Sequence, residues 1–373
     1  MKVVHFFWSL GYGGIETMLV NIANEQVKQG AEVSILIVNN IVAEELKKKL
    51  SVAVNFVCIG RQKGDKSLKF LNQISTVLDK LQPNIIHLHE SVLYNFLPHR
   101  WRSISCSVCC TLHDMPFGTT GIEYRWLRMI QNLVFHKGGL VMNLNRVDNV
   151  FSISRSVATA LKSDFCIDSS IVYNGIQTAR FSMRENKQVG KRIKIVQVSR
   201  LEHEKKGQDL LIESIAKLRD RGIDCEVSFI GDGDSRDYLK SLINNYKLTD
   251  RIFLLGAKSQ EYLMTHLCDY DLFVQPSRYE GFGLTVAEAM AAKIPVLVSA
   301  GQGPEEVTVG NVCGWTFKTG DANSLAEKIA YIYGHYDECL EKVDRGRERV
   351  VKNFDVSVTA SRYLTAYKEM LAK

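Results

Sequence analysis

Short apolar runs alternate with amphipathic stretches along almost the whole chain, and this alternation constrains the fold more than any other feature. Residues 3–7, 33–38, 52–59, 85–89, 108–112 and 150–153 are apolar runs of strand length, with helical patterns such as 16–28 and 68–81 between them. The pattern restarts at 193–198 and continues through 226–230, 252–255, 272–275 and 296–298. Strands alternating with helices build a parallel sheet covered on both faces. Two series imply two such sheets: an α/β chain with a first domain over 1–173, a linker over 174–192 and a second domain over 193–353. Residues 354–373 read as a terminal helix with Phe354, Val358, Tyr363, Leu364, Tyr367 and Met370 on its apolar side. Such a helix needs a groove, on its own domain or back on the first.

A chain of 373 residues has the length of about two domains. With 46% hydrophobic and 24% charged residues it is not a disordered polymer. No apolar run reaches the roughly 18 residues of a membrane-spanning helix. The first ten residues have the apolarity of a signal segment but lack a small-residue cleavage site, and read as a first strand. Nine cysteines, an odd number scattered from Cys58 to Cys339, read as free thiols of a cytoplasmic protein. Cys106, Cys109 and Cys110 contain a CxxC, but inside an apolar run and with no second ligand pair. No metal is expected.

Residues 1–173 hold 18 Lys/Arg against 13 Asp/Glu, whereas the rest of the chain is nearly balanced. The stretch 124–137 mixes Arg125, Arg128 and Lys137 with Trp126, Leu127, Met129 and Phe135. A basic, aromatic helix of this kind can lie on an anionic membrane surface, here the inner face, or pack against its own sheet. A nucleic-acid partner is not expected, because no Lys/Arg stripe was found along one helix face.

Chemistry concentrates in two stretches. In 271–298 a strand ends at Gln275, a loop carries Gly281 and Gly283, and an Ala-rich helix follows. Such a loop offers free backbone N–H groups and the positive end of a helix dipole, as a diphosphate requires. Glu280 and Glu288 bracket it, and carboxylates accept hydrogen bonds from paired sugar hydroxyls. In 196–211 a strand leads through Arg200 to Lys206 and Gly207 and into a helix. An arginine fork with a lysine point charge suits two phosphates, and a solvated charge run is the alternative.

EGFGLTVAE, in which seven residues separate Glu280 from Glu288, resembles the E-x7-E motif of the retaining family-four glycosyltransferases. SRLEHEKKG resembles that family's Arg…Lys-Gly segment, IGDGDS its Gly-Asp-Gly turn, RIFLLGAKS its base-contacting turn and SAGQGPEE its Pro-Glu segment. In the first half, GYGGIE, NIIHLHE, TLHDMP and VYNGI resemble further family segments in the same order. The resemblance implies the GT-B fold, two Rossmann-like domains facing a cleft, with the acceptor on the first domain and the donor on the second. It implies transfer of a sugar from a nucleotide-diphosphate sugar, uridine by default, to a saccharide or lipid-linked acceptor, with no cofactor beyond that donor. Bacterial surface-polysaccharide assembly is the setting it suggests. A nucleotide-sugar epimerase or a non-catalytic nucleotide-sugar binder are the rival readings.

By the same resemblance, Arg200 and Lys206 hold the diphosphate and neutralise the leaving group. Glu288 takes the ribose hydroxyls, and Glu280 lies against the donor sugar. The backbone of Gly281, Phe282, Gly283 and Leu284 contacts the sugar or phosphates, and Gly256, Ala257 and Lys258 meet the base. Gly13 and Gly14 approach the diphosphate from the first domain, and His113 lies by the reacting centre. Gln177 and Tyr173 depart from the family's usual Asp and Pro at the hinge. His87 and His89 are expected on opposite faces of their strand, the first in the core and the second either reaching the cleft or buried like the first. Asp269, Tyr270 and Asp271 form a DxD, in which Tyr270 and Asp271 are expected to be structural, with metal binding as the alternative, and Ser154 is expected to cap a helix.

Overall fold

The computed structural model describes residues 1–11, 13–62, 65, 67, 69–101, 106–116, 142–185 and 189–372. The chain divides into two compact units, Met1–Gly175 with Val356–Lys373, and Ile176–Asp355. The basic aromatic stretch 124–137 and Tyr12 lie outside the described residues.

The first unit is built on β1 (Lys2–Phe7), β2 (Glu32–Asn39), β3 (Asn55–Arg61), β4 (Ile85–Leu88), β5 (Ser107–Leu112), β6 (Asn149–Ser152) and β7 (Ser170–Ile171). They lie in the order β3-β2-β1-β4-β5-β6-β7, and every pairing is parallel. Parallel neighbours need long crossovers, which the helices Gly14–Lys28, Lys69–Leu81 and Arg155–Phe165 help to supply. Odd-numbered residues of β1 and β4 (Val3, Phe7, Ile85) face one apolar cluster, while Val4, Phe6, Ile86 and Leu88 face another. Both faces are buried, which is why these strands read as unbroken apolar runs.

The second unit repeats the plan with β8 (Arg192–Val198), β9 (Asp224–Ile230), β10 (Ile252–Leu254), β11 (Leu272–Gln275), β12 (Val296–Ser299) and β13 (Trp315–Phe317), in the order β10-β9-β8-β11-β12-β13. In each sheet the order reverses beside the unit's first strand, between β1 and β4 and between β8 and β11. Connections leave such a pair toward opposite sides, so a crevice opens at the carboxyl ends of the two strands. Two strands carry no apolar run in the sequence. β7 has two exposed residues at the sheet edge, and β13 has only three residues.

The stretch expected as a linker is fastened to the second unit from Ile176 onward. Ile176 N–H donates to the Phe354 carbonyl (2.8 Å), and the Thr178 hydroxyl donates to Asp355 (2.5 Å). Arg184 reaches the buried carboxylate of Asp271 at 2.5 Å. Asp271 also accepts from the Lys194 N–H, so half of the DxD is a structural tie. On the other side of the division, Gly175 touches the helix Val356–Leu371. A Cβ there would lie 2.6 Å from Thr359 Oγ1 and 2.7 Å from Val356 Cα.

That helix packs on Gly14–Lys28 and buries Tyr363 and Tyr367 completely. Their hydroxyls find partners on the sheet: Tyr367 meets His87 Nδ1 at 2.5 Å and Tyr363 meets Thr111 Oγ1 at 3.1 Å. Among the described residues no helix is long and apolar enough to cross a membrane. Tyr367→Phe keeps the packing and strips one buried partner from His87, so chemical denaturation is expected to show a loss of about 1–3 kcal/mol. Tyr367→Ala adds a cavity, and the loss is expected to rise to about 3–5 kcal/mol.

Candidate functional site

At the carboxyl edge of the second sheet, the chain leaving β8 passes through Ser199 and Arg200 into a single helical turn, His203–Lys206, and then Gly207. Gly207 is left-handed (φ 68°), and a Cβ there would lie 2.0 Å from the Pro276 carbonyl oxygen. Only glycine lets the chain after β11 come this close. The contact is reinforced on both sides. The Arg278 and Tyr279 N–H groups donate to the Lys205 carbonyl at 2.9 and 3.3 Å. The Arg278 guanidinium forks onto Asp209 (2.9 and 2.8 Å) and reaches the His203 carbonyl (2.8 Å).

This interlock places Lys206 Nζ 2.6 Å from Glu280 Oε2, with Gln275 Nε2 at 3.3 Å from the same oxygen. The Glu280 backbone is held too: its N–H donates to Gln302 Oε1 (3.1 Å) and its carbonyl accepts from Gly303 N–H (2.9 Å). A Cβ on Gly303 would meet the Gly281 carbonyl oxygen at 2.3 Å. Phe282 is buried, with its ring edge-on to Phe354, so this residue offers a ligand its backbone rather than its side chain. Gly283 (φ 90°) then turns the chain into the helix Leu284–Ala291, whose first N–H groups have no partner within the helix.

Glu288 is buried on that helix and accepts from Gln260 Nε2 at 2.7 Å. Burial pushes its carboxyl up to about 7, against the lowering effect of that hydrogen bond. The structure therefore gathers Lys206, Glu280, Gly281, Phe282, Gly283, Leu284 and Glu288 around one loop and one helix start. Arg200 lies past the end of β8, exposed and paired with Glu202 at 3.0 Å. Gly256 follows β10, and its carbonyl accepts from Gly231 N–H (3.0 Å); Ala257 and Lys258 are exposed, with the Lys258 ammonium over the Tyr262 ring.

In the first unit, Gly13 precedes the helix Gly14–Lys28, and the Glu16 carboxylate folds back over it. Trp8 Nε1 donates to Glu90 at 2.8 Å, and burial raises the Glu90 carboxyl. His87 and His89 correct the expectation of opposite faces. Residues two apart on a strand share a face, and the rings stack with centroids 4.5 Å apart. His89 stacks in turn on His113 and hydrogen-bonds it through Nδ1 at 2.9 Å. Ser154 caps its helix through the Val157 N–H, as expected.

Among the described residues, one group brings metal-ligating atoms together: those of His5, His87 and His89 lie within 4.8 Å of one another. Every ring nitrogen of the three already has a hydrogen-bond partner. His87 and His89 are stacked and His5 is tilted against both, and the group's bonds are those of a hydrogen-bonded cluster. All nine cysteines are free, and burial raises the thiols of Cys106, Cys109 and Cys110, Cys106 to about 12. Gln260, Gln275, Gln302, Arg278 and Gln26 were not singled out from sequence. Only Gln26 left a signal, as a polar residue on the apolar side of a helix.

Glu288 carries a pH dependence. Its carboxyl stays protonated in the folded chain to about pH 7 and titrates near 4.5 when exposed, so the folded state holds the extra proton between these values. Stability falls as pH rises through this window, by on the order of 3 kcal/mol. Glu288→Gln is expected to remove that contribution, seen as a denaturant midpoint that depends less on pH between 4.5 and 7 than in the parent.

Comparison with known proteins matches this arrangement to one family. The sequence model described as Glycosyltransferase Family 4 matches residues 12–180, and that of Glycosyl transferases group 1 matches residues 179–349. The Amylovoran biosynthesis glycosyltransferase AmsK of Erwinia amylovora is 32% identical over 204 residues, 53% of this chain and 50% of AmsK. WcaL of Escherichia coli K12, assigned to colanic acid biosynthesis, is 30% identical over 271 residues, 66% of each chain. The chain thus spans half to two thirds of the length of these relatives. A structure of Anabaena Alr3699/HepE in complex with UDP and glucose superposes with a TM-score of 0.78 over 99% of each chain, at 18% identity, a likeness of fold. With the two family models together running from residue 12 to residue 349, the chain belongs to glycosyltransferase family four and has the GT-B fold.

Proposed function

We propose that this chain transfers a sugar from a nucleotide-diphosphate sugar, with uridine as the base, to a saccharide or lipid-linked saccharide, and that the anomeric configuration is retained. The observation that carries this reading is the Lys206–Glu280 pair, held beside a glycine loop and a helix N-terminus at the carboxyl ends of β8 and β11. Lys206 and the helix N-terminus supply positive potential for a diphosphate. Glu280 uses Oε2 for Lys206 and Gln275, which leaves Oε1 to accept from a sugar hydroxyl. Glu288 would take the ribose hydroxyls in its ionised form, so nucleotide binding would release its proton near pH 7.

Retention is carried by chemistry on one face of the sugar. The bond from C1 to the diphosphate oxygen breaks, and the bond from the acceptor hydroxyl oxygen to C1 forms on the same side. The hydroxyl proton passes to the departing diphosphate. The protein's share is positioning and stabilisation of charge on the leaving group, with Lys206 and Arg200 in that role. Gly256, Ala257 and Lys258 would meet the base, and Gly13, Gly14 and His113 are the first unit's expected contributors. AmsK, WcaL and the lipopolysaccharide core mannosyltransferase LpsB of Rhizobium meliloti set surface-polysaccharide assembly as the context. A lipid-linked acceptor would bring this chain to the inner face of a membrane.

Thermal denaturation with UDP, GDP or ADP tests the donor site. A nucleotide at about 100 times its dissociation constant adds roughly 2.7 kcal/mol, so a clear rise in Tm is expected with UDP and none with UDP for Lys206→Ala. Incubation with UDP-sugars and saccharide acceptors, read by NMR of the product's anomeric proton, is expected to show the donor's own configuration. Inversion would remove the retaining reading, and no Tm rise with any nucleoside diphosphate would remove the transferase reading.

A further inference from the structure

One face of the first sheet carries the buried His5, His87, His89 and Thr111 beneath the helices Gly14–Lys28 and Val356–Leu371, and His113, half-buried, follows the end of β5. Four imidazoles in an apolar layer are costly unless every polar atom is satisfied, and their bonds form a directed row. His5 Nε2 meets Gln26 Oε1 at 2.8 Å, His5 Nδ1 meets His89 Nε2 at 3.0 Å, and His89 Nδ1 meets His113 Nε2 at 2.9 Å. Burial lowers all four histidines, His5 and His113 to about 4 and the other two well below their usual value. Each is neutral at pH 7, with one N–H and one lone pair.

The direction of the row follows from its closed end. An amide oxygen only accepts, so His5 must donate from Nε2 and accept at Nδ1. His89 must then donate from Nε2 and accept at Nδ1, and His113 must donate from Nε2. The other half of the Gln26 amide, Nε2, is closed off from solvent and has no hydrogen-bond partner among the described residues, while the Tyr367 hydroxyl meets His87 Nδ1. The direction of the row therefore rests on the Oε1 contact with His5. At the open end, His113 Nδ1 is closed off from solvent and has no partner among the described residues. A dry acceptor is unfavourable until something donates to it.

We infer that Gln26, His5 and His89 are positioning residues that hold His113 as the Nε2–H tautomer, so that its Nδ1 lone pair is kept to accept from a ligand hydroxyl. The tautomer stands on the row alone. That the hydroxyl belongs to a donor sugar rests on the transfer reading above. His87 stands beside the row, with both nitrogens on the hydroxyls of Tyr367 and Thr111. Its role is to fill the layer rather than to direct the proton.

Long-range proton–nitrogen correlation spectra of the full chain, labelled with nitrogen-15 histidine and free of nucleotide at pH 7, read each tautomer directly. The expected result is Nε2–H for His5, His89 and His113. An Nδ1–H form or an imidazolium at His113 would overturn the inference whatever the enzyme's activity. Gln26→Met removes the acceptor that directs the row, so His113 is expected to become a mixture of both tautomers. In transfer assays the same variant is expected to raise KM for the nucleotide sugar about threefold to tenfold, with a smaller change in kcat. If the variant does not fold, the parent spectra still decide. A UDP-sugar whose binding is seen as a Tm rise is expected to shift the His113 Nδ1 resonance, whereas UDP alone leaves it in place. A bound UDP-sugar that leaves the resonance unmoved would overturn the ligand assignment. Absence of any nucleotide binding would count against the transfer reading and not against the tautomer.

Discussion

Everything at the carboxyl edge of the second sheet depends on how closely the chain after β8 meets the chain after β11. The two strands are neighbours at the reversal of strand order, so their connections start side by side and turn away from each other. At Gly207 the backbones come within the reach of a single absent Cβ. The Arg278–Asp209 fork and the two bonds to the Lys205 carbonyl lock that approach. An ammonium and a carboxylate 74 residues apart in sequence are thereby set on each other. The loop after Glu280 is rigid for a similar reason, since Gly303 lets a third segment press against the Gly281 carbonyl. A site made this way is positioned by backbone contacts, and its side chains need adjust little to meet a charged ligand.

The first unit solves a different problem. Its parallel sheet is covered on both faces, yet one face carries a file of histidines where aliphatic side chains would be expected. These are tolerated because the covering helices bring polar groups of their own: Gln26 from Gly14–Lys28, and the Tyr363 and Tyr367 hydroxyls from Val356–Leu371. The last helix of the chain is therefore part of the first unit's polar core and not an appendage. A hydrogen-bonded network of this kind is specific, since most side chains lost would leave a neighbour unsatisfied in a dry layer.

Much of this was legible in advance, and for identifiable reasons. Long parallel strands buried on both faces announce themselves as apolar runs, and the lengths between them leave room for crossover helices. β7 and β13 escaped because edge strands of two or three residues are too short to leave a pattern. The spacing of Glu280 and Glu288 and the glycines between them pointed to the loop that the structure shows. The expectation of opposite faces for His87 and His89 ran against the two-residue period of a strand, which places both rings on one face. Gln260, Gln275 and Gln302 were invisible, because an exposed and a buried glutamine look alike in a sequence.

Residue order by itself determined the class of fold, the number of sheets and the loop where charge and glycine concentrate, because these follow from periodicity and from local backbone freedom. Tertiary structure alone decided which partner each polar group received. It gave Lys206 to Glu280, Gln260 to Glu288, and Gln26 to a row of histidines that ends at His113. The physical reason is range. Periodicity acts over a few residues, whereas a hydrogen bond a few ångströms long joins segments that only the completed packing brings together.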